Sequence, residues 1–300
     1  MFKGLFTALI TPFTKTGEIA SQIDFTALEK IINFQIKNGV DGLVICGTTG
    51  EGATLSEDEQ NELIKQSVKI IDKRVKVIAG TGSNCTIKAI RLTQKAQANG
   101  VDGALIVAPY YNKPTQEGLY QHYKAICEAA NLPIILYNVP GRTIVNIADE
   151  TTAKLAVLPQ IIGLKDATGD LARLYTLNYE LKKANISKNF AILSGEDMTA
   201  VSFNCSGGHG VISVTSNILP SICSKVQKLC LEGNFAQAHQ LQLGLTNINK
   251  IMFLQSNPIV IKYAMYLMGL CSNYVRLPLT KPTDDIITLL QAEMKALELI

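Results

Sequence analysis

The sequence is short of the residues that build metal centres and Cys/His nucleophiles. It has only three histidines, which lie far apart, and its seven cysteines include no C-x-x-C pair and no metal-ligand spacing. An odd number of scattered cysteines favours free, mostly buried thiols over a disulfide framework. We therefore expect no zinc site, no Cys/His nucleophile, and no metal or cofactor.

Long apolar runs and basic runs are also missing. No apolar stretch approaches the roughly 20 residues that span a bilayer, and residues 1–6 lack the apolar core and cleavage site of a signal peptide. Acidic and basic residues are interspersed, with a net charge of +3. This pattern indicates neither a nucleic-acid partner nor an anionic membrane. We expect a soluble, cytoplasmic protein.

Short apolar runs rich in Val, Ile and Leu recur along the first two thirds of the chain, and segments with helical periodicity separate them. Continuous apolar runs are typical of strands buried on both faces of a parallel sheet, and their alternation with helices predicts βαβ units. Eight runs match a (β/α)8 TIM barrel, of the α/β class, better than a doubly wound sheet with five or six strands. The runs are residues 5–10, 43–46, 75–79, 104–108, 134–137, 161–164, 190–193 and 210–214.

Local signals support these units. The pentapeptide Asn-Gly-Val-Asp-Gly occurs at residues 38–42 and again at 99–103, each time between a helical segment and a strand. Gly39 and Gly100 suit the left-handed position that ends a helix. Ser56, with Glu59 three residues later, predicts a helix start of the capping-box type.

After residue 214 the strand signal stops. Four segments then have helical periodicity, at 217–231, 234–254, 258–268 and 284–299, with breaks at Gly233, at Asn257-Pro258 and at 277–282. The first segment supplies the eighth helix of the barrel. We therefore predict a catalytic barrel at residues 1–232 and a small C-terminal helical domain at residues 233–300.

In such a barrel the reacting groups lie where the strands end, at one rim. Lys165 follows the apolar run 161–164 and precedes a polar, glycine-marked turn. Most lysines in such a place only begin a solvated loop. At a shared rim, however, a neutral lysine amine can condense with a ketone to an imine, which acts as an electron sink for carbon–carbon chemistry without a metal.

The second strand ends in Gly47-Thr48-Thr49-Gly50-Glu51-Gly52. Its glycines permit close backbone approach, and its hydroxyls and amides suit a carboxylate. The Gly-Lys-Ser/Thr of a P-loop is absent, so nucleotide binding is not indicated. A glycine turn with capping threonines is the structural alternative.

Tyrosines and an arginine follow two other strands. Tyr110 and Tyr111 follow the fourth strand, while Tyr137 and Arg142 lie at the end of the fifth. A tyrosine beside a lysine can move protons, and an arginine can grip a carboxylate with two hydrogen bonds. Core packing for the tyrosines and a surface position for the arginine stay open as alternatives. We expect His209, between glycines, to be structural.

Together these motifs resemble the dihydrodipicolinate synthase (4-hydroxy-tetrahydrodipicolinate synthase) family, in its order, from the first strand into the helical tail. The glycine-glutamate and lysine blocks alone define only the wider pyruvate-aldolase superfamily, and Arg142 within its motif is the more specific mark. The matching blocks are residues 47–51, 109–112, 137–143, 163–169 and 207–214.

The resemblance implies a lyase that condenses pyruvate with L-aspartate-4-semialdehyde, on the route to diaminopimelate and lysine. Lys165 forms the imine with pyruvate in this scheme. Tyr137 relays protons through Thr48 and Tyr111, and Tyr111 comes from a neighbouring subunit.

The resemblance also implies how substrates are held and how the protein assembles. Thr49 and the backbone at Ile212 hold the pyruvate carboxylate, and Arg142 receives the aldehyde substrate. The expected assembly is a homotetramer made of two dimers. Tyr110 and Asn84 match relatives that lysine inhibits. Four other residues depart from that pattern and predict weak inhibition by lysine. These residues are Lys88, Glu57, Gln60 and Gly52.

Two alternatives to this function stay open. An N-acetylneuraminate lyase or a keto-deoxy-sugar-acid aldolase uses the same lysine imine, although a sugar site needs hydroxyl partners rather than Arg142. A catalytically inactive barrel that serves as a scaffold is the second, and the intact set of Lys165, Tyr137, Thr48 and Tyr111 argues against it.

Overall fold

Eight parallel strands form a closed barrel in the computed structural model, which describes residues 2–16, 21–186 and 189–300. The order around the barrel is β1-β10-β9-β8-β7-β6-β5-β4, and β2 and β3 form a separate antiparallel hairpin. The strands are β1 (Gly4–Ala8), β2 (Phe13–Lys15), β3 (Ser21–Ile23), β4 (Gly42–Ile45), β5 (Lys76–Gly80), β6 (Gly103–Val107), β7 (Ile134–Asn138), β8 (Ile161–Asp166), β9 (Ala191–Ser194) and β10 (Gly210–Ser213).

Helices follow the barrel strands and continue beyond the last one. This confirms the predicted TIM barrel with C-terminal helices. The helices are α1 (Phe25–Lys37), α2 (Glu57–Ile71), α3 (Thr86–Ala98), α4 (Gln116–Ala129), α5 (Pro140–Thr143), α6 (Asp149–Ala156), α7 (Arg173–Lys183), α8 (Ala200–Cys205), α9 (Pro220–Leu231), α10 (Phe235–Gly244), α11 (Thr246–Met252), α12 (Ile259–Leu267) and α13 (Asp284–Ala296).

Two of the three apolar clusters among the described residues make up most of the core. Successive side chains of a strand point to opposite faces, so Leu43 and Ile45 of β4 join the large cluster beneath the helices, while Val44 joins a smaller one. The smaller cluster also holds Phe6, Tyr137 and Ile212, and it fills the barrel interior. Continuous apolar strands are therefore explained by burial on both faces.

The barrel closes where its first strand meets its last. Gly4 of β1 pairs with Gly210 of β10. A Cβ on Gly210 would lie 2.2 Å from the carbonyl oxygen of Gly4, so this seam admits no side chain at residue 210.

The repeated pentapeptide has one conformation at both places. Gly39 and Gly100 each have φ of +81°, which confirms the left-handed helix ends. The aspartate of each copy holds an earlier strand: Asp41 Oδ2 accepts from Leu5 N at 2.8 Å, and Asp102 Oδ2 accepts from Val77 N at 2.9 Å. The repeat thus both ends a helix and fixes the N-terminal end of a neighbouring strand.

The prediction of one helix over 234–254 is wrong. The segment forms α10 and α11, and Leu245 lies between them. Leu245 is buried there, and α11 packs against α12 and α13. A straight helix would carry those residues away from the core, so packing overrides the continuous helical signal. The domain division at residues 232 and 233 stays a prediction.

Three other predictions, for Ser56, the cysteines and His209, agree with the structure. The capping box at Ser56 and Glu59 is present, with Glu59 N donating to Ser56 Oγ at 3.2 Å. All seven cysteines are free, and four of them are buried. His209 is structural, since its Nδ1 accepts from Ile192 N at 3.2 Å. Within the described ranges, no helix is both long and apolar enough to cross a membrane.

Candidate active site

A cavity of about 670 Å3 opens at the C-terminal ends of the barrel strands. It brings together the groups that follow β4, β7 and β8, as the rim argument predicts. Five of the predicted site residues line it: Thr48, Thr49, Tyr137, Arg142 and Lys165.

Lys165 and Tyr137 lie side by side on the neighbouring strands β8 and β7, where they are register partners. The Nζ atom of Lys165 lies 4.3 Å from the centre of the Tyr137 ring, and the two residues are 7% and 8% exposed. Val44 and Leu105 of the barrel interior also line the cavity. The amine therefore faces the cavity from an apolar floor, with a phenol next to it.

The loop after β4, which carries Thr48 and Thr49, is tightly folded. A Cβ on Gly52 would lie 2.4 Å from the carbonyl oxygen of Cys46, so only glycine permits this closure. Glu51 N donates to Thr48 O at 3.1 Å, and Gly52 N donates to Gly47 O at 3.2 Å. The loop thus holds Thr48 and Thr49 at the cavity wall.

Thr49 has a specific partner in the segment between α11 and α12. Its Oγ1 accepts a hydrogen bond from Asn257 Nδ2 at 2.9 Å, and the residue is buried. Because the hydroxyl accepts here, its own hydrogen is free to point at an acceptor in the cavity. A carboxylate is such an acceptor.

Arg142 lies at the cavity mouth on the short helix α5, which Pro140 begins. Its Nη2 donates to Asn257 O at 3.3 Å, and the side chain lines the cavity. The guanidinium keeps further N–H donors for a bound anion, as a carboxylate clamp requires. Asn257 therefore touches both groups proposed to hold carboxylates.

Comparison with known proteins identifies the family. The model of the dihydrodipicolinate synthetase family matches residues 1–297. The chain belongs to this family. A 4-hydroxy-tetrahydrodipicolinate synthase of Pelagibacter ubique is 49% identical over 96% of this chain and 97% of its own length. One from Roseobacter denitrificans is 47% identical over 98% of each chain.

A solved member of the family has the same fold. The crystal structure of the chloride-inhibited dihydrodipicolinate synthase from Acinetobacter baumannii, in complex with pyruvate, superposes with a TM-score of 0.95. The two are 43% identical, and the match covers all of both chains.

Two predicted site residues lie outside the cavity lining of this family member. Tyr111 is 94% exposed, with φ of +72°, whereas its neighbour Tyr110 lines the cavity. Ile212 is buried in the barrel interior on β10, and Val214, two residues later, reaches the cavity. The roles assigned to Tyr111 and to the backbone at Ile212 stay predictions.

Sequence reasoning missed several cavity residues. Asn257 and Phe253 come from the segment between α11 and α12. Gln60 of α2 and Lys88 of α3, which the sequence analysis connected only with lysine inhibition, line the same cavity. Asn257 was visible only as part of a helix break. Nothing in its local sequence links it to Thr49, 208 residues earlier.

Sequence reasoning also missed Asp197, a buried acid near Lys165. Its Oδ2 accepts from Val214 N at 2.8 Å and from Thr215 N at 3.1 Å, and so fixes the chain as it leaves β10. Burial raises the pKa of Asp197, while these amides and the charge of Lys165 act in the opposite direction. In the described ranges no cluster of three His, Cys, Asp or Glu residues is placed to hold a metal ion.

Proposed function

We propose that this chain is a 4-hydroxy-tetrahydrodipicolinate synthase that condenses pyruvate with L-aspartate-4-semialdehyde through an imine on Lys165. The observation that carries the proposal is the buried amine of Lys165, over the Tyr137 ring, in a cavity that also presents a threonine hydroxyl and an arginine. The family match and the names of the relatives support the same activity.

Lys165 begins the reaction. Its Nζ attacks the keto carbon of pyruvate, and water leaves as the imine forms. Loss of a proton from the methyl carbon gives an enamine, which attacks the aldehyde carbon of the second substrate. Tyr137, beside the amine, gives and takes protons in this proposal, and Thr48 and the partner subunit's copy of Tyr111 complete the relay.

Two groups bind the carboxylates. The hydroxyl of Thr49, together with backbone near Ile212, holds the carboxylate of pyruvate. Arg142 at the mouth holds the carboxylate of the semialdehyde, which enters second. The cavity thus separates an inner site for the imine from an outer site for the aldehyde.

The experiment is borohydride reduction in the presence of pyruvate, followed by mass mapping. We expect a pyruvate adduct on Lys165 and none on Lys262, a more deeply buried lysine that is paired with Glu51. Lys165→Ala should fold but form no adduct and no condensation product. An adduct at another lysine contradicts the imine assignment.

A substrate comparison tests the subfamily. The enzyme should condense aspartate semialdehyde with pyruvate and should not cleave N-acetylneuraminate at a comparable rate. Faster cleavage of the sugar acid would instead favour the lyase alternative.

A further inference from the structure

The catalytic loop after β4 is joined to the C-terminal helices by a buried ion pair. Glu51 Oε1 accepts from the Nζ of Lys262 on α12, and both side chains are completely buried. Glu51 ends the loop that carries Thr48 and Thr49. The backbone of Glu51 has φ of +52°, and this left-handed conformation sets the direction of its side chain.

The rest of the Glu51 carboxylate is also held by the C-terminal part of the chain. Its Oε2 accepts from Arg276 N at 2.9 Å. Lys262 Nζ lies 4.0 Å from the centre of the Phe13 ring, and the guanidinium carbon of Arg276 lies 4.3 Å from the same centre. The pair is therefore held by a hydrogen bond and by an aromatic ring, away from water.

Stability alone is a weak reason for such a pair. Removing two charges from water is costly, and replacing a buried ion pair with apolar side chains of similar size is often neutral or stabilising. The pair therefore needs a role other than stability.

What it holds is the threonine loop. Glu51 N donates to Thr48 O at 3.1 Å, and Glu51 O accepts from Thr54 N at 3.0 Å. The same C-terminal segment contacts the loop a second time just before α12, through the bond from Asn257 to Thr49. A shift of the carboxylate would consequently move the Thr48 carbonyl and the hydroxyl that faces the cavity.

We propose that Glu51 and Lys262 are positioning residues, which set the threonine loop against Lys165 for pyruvate binding. The C-terminal helices then contribute to catalysis through this buried pair, although neither residue lines the cavity. This inference rests on the proposed function, since its readout is the use of pyruvate.

The test is the double variant Glu51→Leu/Lys262→Met, which removes both charges at similar volume. We expect a folded protein whose thermal midpoint falls only by the loss of the acceptor for Arg276 N. The KM for pyruvate should rise about tenfold or more and kcat should fall, because small displacements of binding groups are costly. Borohydride at saturating pyruvate should still label Lys165. A stable double variant with KM and kcat within about twofold of the wild type overturns the proposal.

A second ion pair, which is exposed to solvent, controls for the loss of charges. Lys76 Nζ donates to Asp102 Oδ1 at 2.6 Å at the other end of the barrel strands, and Asp102 also accepts from a backbone amide. Lys76→Met/Asp102→Leu should leave the KM for pyruvate unchanged. An equal rise in KM in this control would show a general effect of the substitutions and would overturn the proposal.

A second variant tests the positioning role of Glu51 if the double variant does not fold. Glu51→Asp keeps the charge of the pair but is one methylene shorter, so it cannot reach Lys262 and Arg276 N without drawing the loop with it. We expect a folded protein with a several-fold higher KM for pyruvate, and an unchanged KM overturns the proposal. Wild-type trapping is measured in parallel, because its absence contradicts the proposed function itself.

Discussion

At the scale of single residues, Arg142 separates substrate binding from support of the site. Arg142→Leu should lower kcat/KM for aspartate semialdehyde by about a hundredfold, the loss expected when a bidentate charged contact is removed, while the pyruvate imine still forms. Borohydride trapping and steady-state kinetics measure the two effects. Arg142→Lys should fall between, because an ammonium keeps the charge but not the planar fork.

Failure of the Arg142→Leu variant to form the imine would contradict this role. The residue would then act mainly through its hydrogen bond to Asn257 O, which would transmit its loss to Thr49.

His122 on α4 makes a pH-dependent contribution to stability. It is 5% exposed, its Nδ1 lies 3.0 Å from Thr86 Oγ1, and its buried Nε2 has no partner among the described residues. Burial lowers the pKa of His122 to about 4, whereas an unfolded histidine titrates near 6.5. The unfolded chain therefore binds more protons below pH 6.5, and stability is lost as the pH falls from about 6.5 to about 4.

Urea unfolding at pH 7.5 and pH 5 measures this loss. Linkage gives His122 about 2 kcal/mol of the decrease between those values. His122→Asn, which keeps a polar partner for Thr86, should show a correspondingly shallower decrease. An identical decrease in both proteins would show that other groups cause it.

The site could be predicted from sequence only where its residues lie next to a strand end. Lys165 and Thr48 closely follow an apolar run and Tyr137 ends one, so the barrel geometry brings them together. Asn257 carries no such signal, because its place in the cavity depends on how the C-terminal helices pack. Tyr111 points out of the described cavity, and no property of a single chain tests its role.

At the scale of helices and strands, the pattern of apolar runs predicted the barrel, whereas tertiary packing determined the elements that were missed. The eight barrel strands were predictable because burial on both faces requires continuous apolar runs. The hairpin of β2 and β3 was missed, since three-residue strands with exposed positions have no such pattern. The turn between α10 and α11 was also missed. Leu245 is apolar and carries no break signal, and only tertiary contacts end the helix there.

The α2 and α3 region of the cavity bears on regulation. Lys88 on α3 lines the cavity with Gln60 and Tyr110. Glu57 does not offer a compensating carboxylate, because its oxygens lie 3.0 Å from Arg91 Nη2 and 3.5 Å from Lys95 Nζ. An incoming lysine that binds beside Lys88 would therefore meet a like charge, while the Glu57 carboxylate is already paired.

We accordingly expect free lysine to inhibit the enzyme weakly or not at all. A lysine titration of the initial rate at saturating pyruvate measures this, and Lys88→Glu should tighten inhibition by exchanging repulsion for attraction. Strong inhibition of the wild type at submillimolar lysine contradicts the expectation. No response in Lys88→Glu would place the lysine elsewhere.

At the scale of the whole molecule, the exposed Tyr111 predicts a shared active site. Its proposed role in proton transfer requires a second subunit, so the active species should be at least a dimer, with the tetramer as the expected assembly. Mixing Tyr111→Phe with Lys165→Ala should recover activity in hybrid dimers, because one site then receives both intact groups. Each variant alone is the control, and a fully active monomer in sedimentation at assay concentration contradicts the shared site.

The glycine seam has a consequence for synthesis of the chain. Because β1 pairs with β10, the first strand made must wait for the last. At typical rates of translation the interval exceeds about ten seconds, and throughout it β1 and, once made, β9 have an unpaired edge. Such edges attract other strands. A nascent chain that stalls before Gly210 would therefore have an open sheet and not a smaller barrel. Its two unpaired edges would favour aggregation until β10 is synthesised.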